Sequence, residues 1–196
     1  MEIKSTAFLA QKMADIKSQL AAIFPQPPDC PPGRHYASIA ALYEMYKTKI
    51  QTEKTIDPLG NENVFKDENF PHLVKLEFYD EKQCRWVDAN ATKAIEQLKS
   101  KTLDESKYRI GDESRPRTLL MVPDILRNPD SIFPNKRNRK SDVYAKRYRR
   151  KGNGAPLKIV LVETRRGGER VVKTSFWCTD NYHDECIAHP AKHGKK

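Results

Sequence analysis

Leu157-Lys-Ile-Val-Leu-Val-Glu163, Arg166-Gly-Gly-Glu169 and Val171-Val-Lys-Thr-Ser-Phe-Trp177 follow one another along the chain, and their reading decides the fold. The two flanking runs are rich in β-branched and aromatic residues, which suit a pleated, half-buried surface. Between them, Gly-Gly supplies the positive φ angles of a tight hairpin. Upstream, Asp142 to Arg149 alternates with a period of two, and Gly152-Asn-Gly-Ala-Pro156 forms a second turn signal. The expectation is a small antiparallel sheet of about three to four strands, preceded by helices, in an α+β fold.

Working outward, the hydrophobic period lengthens to that of helices. Leu9, Met13, Ile16, Leu20 and Ile23 form one apolar stripe, predicting a helix from Ile3 to Phe24 that Pro25-Gln-Pro-Pro ends. Ile39, Leu42, Tyr43, Tyr46 and Ile50 form a second stripe, and packing of the two against each other would make a helical hairpin. Thr52 to Glu68 is polar and reads as irregular. Asp88 stands where a helix to Lys99 would be capped, with Ala91, Ala94, Ile95 and Leu98 inward. Thr102 and Glu105 have capping-box spacing. Pro123 opens a short helix through Arg127, which Asn128-Pro129 closes. The expected organisation is a helical hairpin extension over 1–52, a main domain over 53–182 and a basic tail over 183–196.

The 196 residues carry a formal net charge of +10. Between Lys136 and Lys151 nine Lys/Arg stand against one Asp, a local +8 that leaves +2 for the rest. Tyr144 and Tyr148 interleave this strip, the footprint of a nucleic-acid surface. No apolar run approaches the roughly 20 residues of a membrane helix, so no membrane partner is expected. Met1 to Phe24 carries five charges, unlike a secretory leader. The expected location is the cytoplasm of a host or target cell, with Cys30, Cys84, Cys178 and Cys186 reduced. Cys178, His183, Cys186 and His189 form the one metal-like spacing. Their order fits no zinc-finger pattern, so neither metal nor cofactor is expected.

Five strings then carry a resemblance. They are Phe-Pro-His-Leu-Val-Lys-Leu (70–76), Leu-Arg-Asn-Pro-Asp-Ser-Ile (126–132), Val-Tyr-Ala-Lys (143–146), Lys-Ile-Val-Leu-Val-Glu (158–163) and Val-Val-Lys-Thr-Ser-Phe-Trp (171–177). In this order they resemble the phage-associated branch of the barnase–EndoU–colicin–RelE nuclease superfamily, over roughly Phe70 to Trp177. The resemblance implies a toxin-like endoribonuclease working without metal on tRNA or mRNA. The 2′-OH would attack the adjacent phosphate, leaving a 2′,3′-cyclic phosphate and a 5′-OH. An immunity or antitoxin protein is an implied partner beside RNA. Rival readings are a non-catalytic nucleic-acid-binding protein and a phage assembly accessory, the latter favoured by the stripe from Leu9 to Ile23.

This chemistry needs a proton acceptor, a proton donor and cations. The catalytic candidates are His72 and Lys75, expected on one helix face, Tyr144 and Lys146, expected on one strand face, and Thr174 and Ser175. The last two should face opposite sides, with only one turned to the cleft. The RNA-binding candidates are Arg115 and Arg117, one of them as a phosphate clamp, and Lys136, Arg137, Arg139, Lys140, Arg147, Tyr148, Arg149 and Arg150. Tyr144, Lys146 and Tyr148 together would form an exposed stacking and phosphate-gripping row.

Overall fold

The computed structural model describes residues 38–149, 158–178 and 193–194. The stripe from Leu9 to Ile23, the Pro25–Pro32 connector, the Gly152–Pro156 turn, Arg150, and His183, Cys186 and His189 lie outside these residues.

The three strands expected from the sequence form as one antiparallel meander: β7 (Ser141–Tyr148), β8 (Lys158–Arg165) and β9 (Arg170–Cys178). The β8–β9 turn falls at the expected glycines, with φ of 144° at Gly167 and 59° at Gly168. Side chains other than glycine rarely adopt such angles. The mixed α+β class holds, but the sheet is larger than three to four strands. Short strands β1 (Thr55–Ile56), β2 (Glu62–Val64), β6 (Ser131–Pro134) and β10 (His193–Gly194) extend it to seven, in the order β1-β2-β9-β8-β7-β6-β10. The β2–β9 pair is parallel. Strands of two to four residues carry too little alternation to stand out from a polar loop, which is why 52–68 read as irregular. A second sheet, ordered β4-β3-β5, joins β3 (Leu76–Asp80), β4 (Arg85–Asp88) and β5 (Tyr108–Ile110).

Five short helices accompany the sheets among the described residues: α1 (Ile39–Met45), α2 (Phe70–Val74), α3 (Ala91–Lys99), α4 (Ser114–Leu119) and α5 (Val122–Arg127). Ser38 caps α1 by accepting from the Ala41 amide at 3.0 Å. A wider π turn over Tyr46–Ile50 continues the helix, and all five residues of its predicted stripe are buried. Tyr43 meets the Phe70 ring edge-on at 5.0 Å, and Tyr46 lies 5.3 Å from the same ring. This helix thus shares one core with residues beyond position 52.

Two caps differ from expectation. Asn90, not Asp88, starts α3 by accepting from the Lys93 amide at 3.0 Å, because β4 holds Asp88 in extended backbone. Asn90→Ala should cost about 1 kcal/mol, read from chemical denaturation; an unchanged midpoint would mean the cap contributes nothing. Asp104 rather than Thr102 caps the next turn. Glu105 instead accepts from the Ala40 amide, 65 residues away, at 3.0 Å.

The main core fills one face of the sheet. Tyr144, Val160, Val162 and Val172 pack there with Leu119, Val122, Ile125 and Leu126 from the helices. A smaller apolar cluster of Val143, Ala145, Ile159 and Leu161, with Phe176 and Cys178 against it, lies on the opposite face. Among the described residues no helix is long and apolar enough to cross a membrane.

Candidate functional site

The row of Tyr144, Lys146 and Tyr148 shares a face, but it is the helix-covered one. All three are buried, so the expected exposed stacking surface is not there. The Tyr144 hydroxyl donates to Asp57, and Lys146 pairs with Asp124 of α5 at 2.8 Å. Tyr148 packs edge-on against Trp177 at 6.0 Å. Alternation gave the face correctly but not which face the helices would cover. Ser175 belongs to the same buried side, 3.2 Å from the Thr118 hydroxyl.

Burial would raise the carboxyl of Asp57, but hydrogen bonds from Tyr144, Asn61 and Leu59 outweigh it and hold the group below its usual range. A depressed carboxylate contributes stability above the ordinary carboxylate range and loses it as pH falls through the folded value. Tyr144→Phe should therefore move acid unfolding to higher pH and cost about 1–3 kcal/mol at neutral pH. Circular dichroism against pH tests this, and a superimposable acid transition would refute it.

The other face of the meander holds a different set. A cavity of about 310 Å³ is lined by Pro71, His72, Lys75, Leu76, Asp88, Ala89, Arg115, Glu163, Lys173 and Thr174. It lies where the edge of β9 meets α2 and the start of the small sheet. Two sequence candidates, His72 and Lys75, reach it by a route other than a common helix face. Helix α2 ends at Val74, and Lys75 turns into the left-handed region at φ 55°, ψ 56°. That turn takes the chain from α2 into β3 and brings the Lys75 ammonium to 2.7 Å from Asp88. His72 stays exposed on the rim.

Of the two arginines, Arg115 lines this cavity and Arg117 remains at the surface. The Arg115 guanidinium donates to the Thr174 hydroxyl and the Ser175 carbonyl, both at 2.7 Å. It also lies 5.1 Å from the Phe176 ring centre. These contacts fix the fork across the β9 edge, where β2 no longer pairs.

Glu163 and Lys173 complete the cavity and escaped the sequence reading. Glu163 sits mid-strand on β8, paired on both sides through Val143 and Thr174. One signal was available: it is the lone acidic residue closing an apolar strand run, where a carboxylate is costly unless used. Lys173 had no such signal. Glu163 faces Thr174, yet the next residue of β8, Thr164, faces Val172, leaving Lys173 as the extra residue of a β-bulge. A bulge re-aims a side chain, and here Lys173 and Thr174 line the cavity together although they are adjacent.

Two neighbouring cavities share lining residues with this one. One of about 400 Å³ is shared by Arg115, Glu163, Lys173 and Thr174 with Arg137, Asn138 and the apolar floor of Val143, Leu161 and Phe176. Of the basic strip, Lys136, Arg137, Arg139, Lys140 and Arg149 are exposed and Arg147 is half-buried, while Tyr148 is not available at the surface. Among the described residues, no three His, Cys, Asp or Glu side chains converge as metal ligands. Comparison with protein-family models, curated proteins and solved structures finds no significant match to this chain.

Proposed function

We propose that this cavity is the reaction centre of a metal-independent endoribonuclease. One observation carries the reading: two carboxylates, an imidazole and three cations (Glu163 and Asp88, His72, and Lys75, Arg115 and Lys173) line a single cavity, with Asp88 already paired to Lys75. The carboxylate of Glu163 takes the proton of a ribose 2′-OH, whose oxygen attacks the adjacent phosphorus. Protonated His72 gives its proton to the departing 5′-oxygen. The products are a 2′,3′-cyclic phosphate and a 5′-OH, and proton exchange with water returns both side chains to their starting states. Arg115 and Lys173 meet the negative charge that builds on the phosphorane. Thr174 orients Arg115, while Lys75, held by Asp88, adds positive potential at the rim.

This reading takes Glu163, which was not among the sequence candidates, as the proton acceptor, and leaves out Tyr144 and Lys146, which are buried on the opposite face. The test is incubation of the purified chain with bulk tRNA in EDTA, followed by end analysis. Cyclic-phosphate ends are the expected result. Intact RNA under conditions where the chain binds it would overturn the proposal in favour of a non-catalytic RNA-binding role.

A further inference from the structure

The second neighbouring cavity has about 600 Å³ and is lined by Lys66, Glu68, Asn69, Lys140, Arg165, Arg166, Gly167, Glu169, Val171 and Lys173. Lys173 lines all three cavities, so they meet at its side chain and lie side by side along the sheet. We propose that Lys140 and Arg165 form a flanking-phosphate subsite, making the substrate a single-stranded RNA several nucleotides long that passes through the cleavage cavity. The proposal rests on the groove being an RNA site.

The cations of this cavity divide by what they already hold. Lys66 pairs with Glu169 at 2.5 Å. Arg166 is spent on the carbonyls of Arg139 and Ser141 and on buried Asp142. Among the described residues, Lys140, Arg165 and Lys173 have no ion pair, and all three are exposed. Their placement is preset. The Arg166 amide donates to the Lys140 carbonyl at 2.6 Å, joining the β8–β9 hairpin to the loop before β7. That bond holds Lys140 and Arg165 at one end of the row of cavities before any ligand arrives, which reduces the ordering cost of binding. At the other end the third cavity has an apolar floor of Val143, Leu161 and Phe176, against which an unstacked base can lie. Phosphate grip at one end and an apolar floor at the other suit a splayed single strand, whose unstacked bases are what RNA-reading surfaces target.

Fluorescence anisotropy with 2′-O-methyl oligonucleotides, which lack the attacking hydroxyl, tests this apart from cleavage. A strand of about eight nucleotides should bind at least tenfold more tightly than one of about two. In the variant Lys140→Ala with Arg165→Ala, that gain should largely vanish, and the salt slope should fall by about 0.7 for each phosphate no longer neutralised. Both positions are exposed, and circular dichroism checks that the fold is kept. A charge-matched variant, Lys49→Ala with Lys82→Ala, lies outside the three cavities and should keep the gain. Equal losses in both variants, or no loss in the first, would overturn the subsite. Absent cleavage with the length effect intact would instead overturn only the nuclease reading.

Discussion

Glu163→Gln is expected to slow single-turnover RNA cleavage by about 10²–10⁴-fold while RNA affinity stays level or rises. The substitution is isosteric on a strand hydrogen-bonded on both sides, so the sheet has no reason to shift. What disappears is the proposed proton acceptor, along with one negative charge in the cavity that Arg115 and Lys173 also line, and a phosphate should find the cavity more attractive. His72→Ala should produce a loss of similar size by a different route. His72→Ala removes the proposed proton donor to the 5′-oxygen and leaves Glu163 in place. Rapid-quench cleavage with filter binding reads both losses. A native rate in Glu163→Gln would reduce Glu163 to a counter-charge for its two cationic neighbours.

Asp142→Ala should be the most damaging single change to stability, at about 3–5 kcal/mol. Asp142 is fully buried. It is paired with Arg170 through both terminal nitrogens and lies 3.5 Å from Arg166. Truncating it leaves two guanidinium groups, only 13% and 36% exposed, facing each other without an anion. For a chain of this size the loss corresponds to a melting point lower by about 6–20 °C. Calorimetry decides the matter, and a loss below about 1 kcal/mol would show the guanidiniums turning outward to water. Because Arg166 also anchors the loop that carries Lys140, affinity for long RNA should fall in the same variant.

The sequence disclosed the elements whose pattern is long enough to repeat. Ile39 to Ile50, Ala91 to Leu98 and the three strands from Ser141 to Cys178 each show about two periods or more, and each formed. It also pointed to His72, Lys75 and Arg115, polar groups in or beside apolar stretches. The rest depended on tertiary events with no local trace. Helices α4 and α5 cover the Tyr144 face rather than the Glu163 face, and nothing in the alternation of β7 distinguishes these outcomes. A left-handed Lys75 follows from α2 giving way to β3 without a loop. Counting by twos along β9 places Lys173 opposite Thr174, and only the bulge reverses that.

The bulge in β9 also acts as a phase correction for the one extra residue, Lys173. Were all nine residues of the strand to alternate regularly, either the hairpin half or the half beyond Thr174 would present its polar side to the core. Deleting Lys173 should therefore leave Val172 and Ser175 facing inward and the sheet intact, at the cost of a single cation. Deleting Phe176 instead would invert Trp177 and Cys178 with no slack to absorb the change. In β9 the position most suited to chemistry is thus also the one least tied to folding, so this strand can exchange that side chain freely while its neighbours stay fixed.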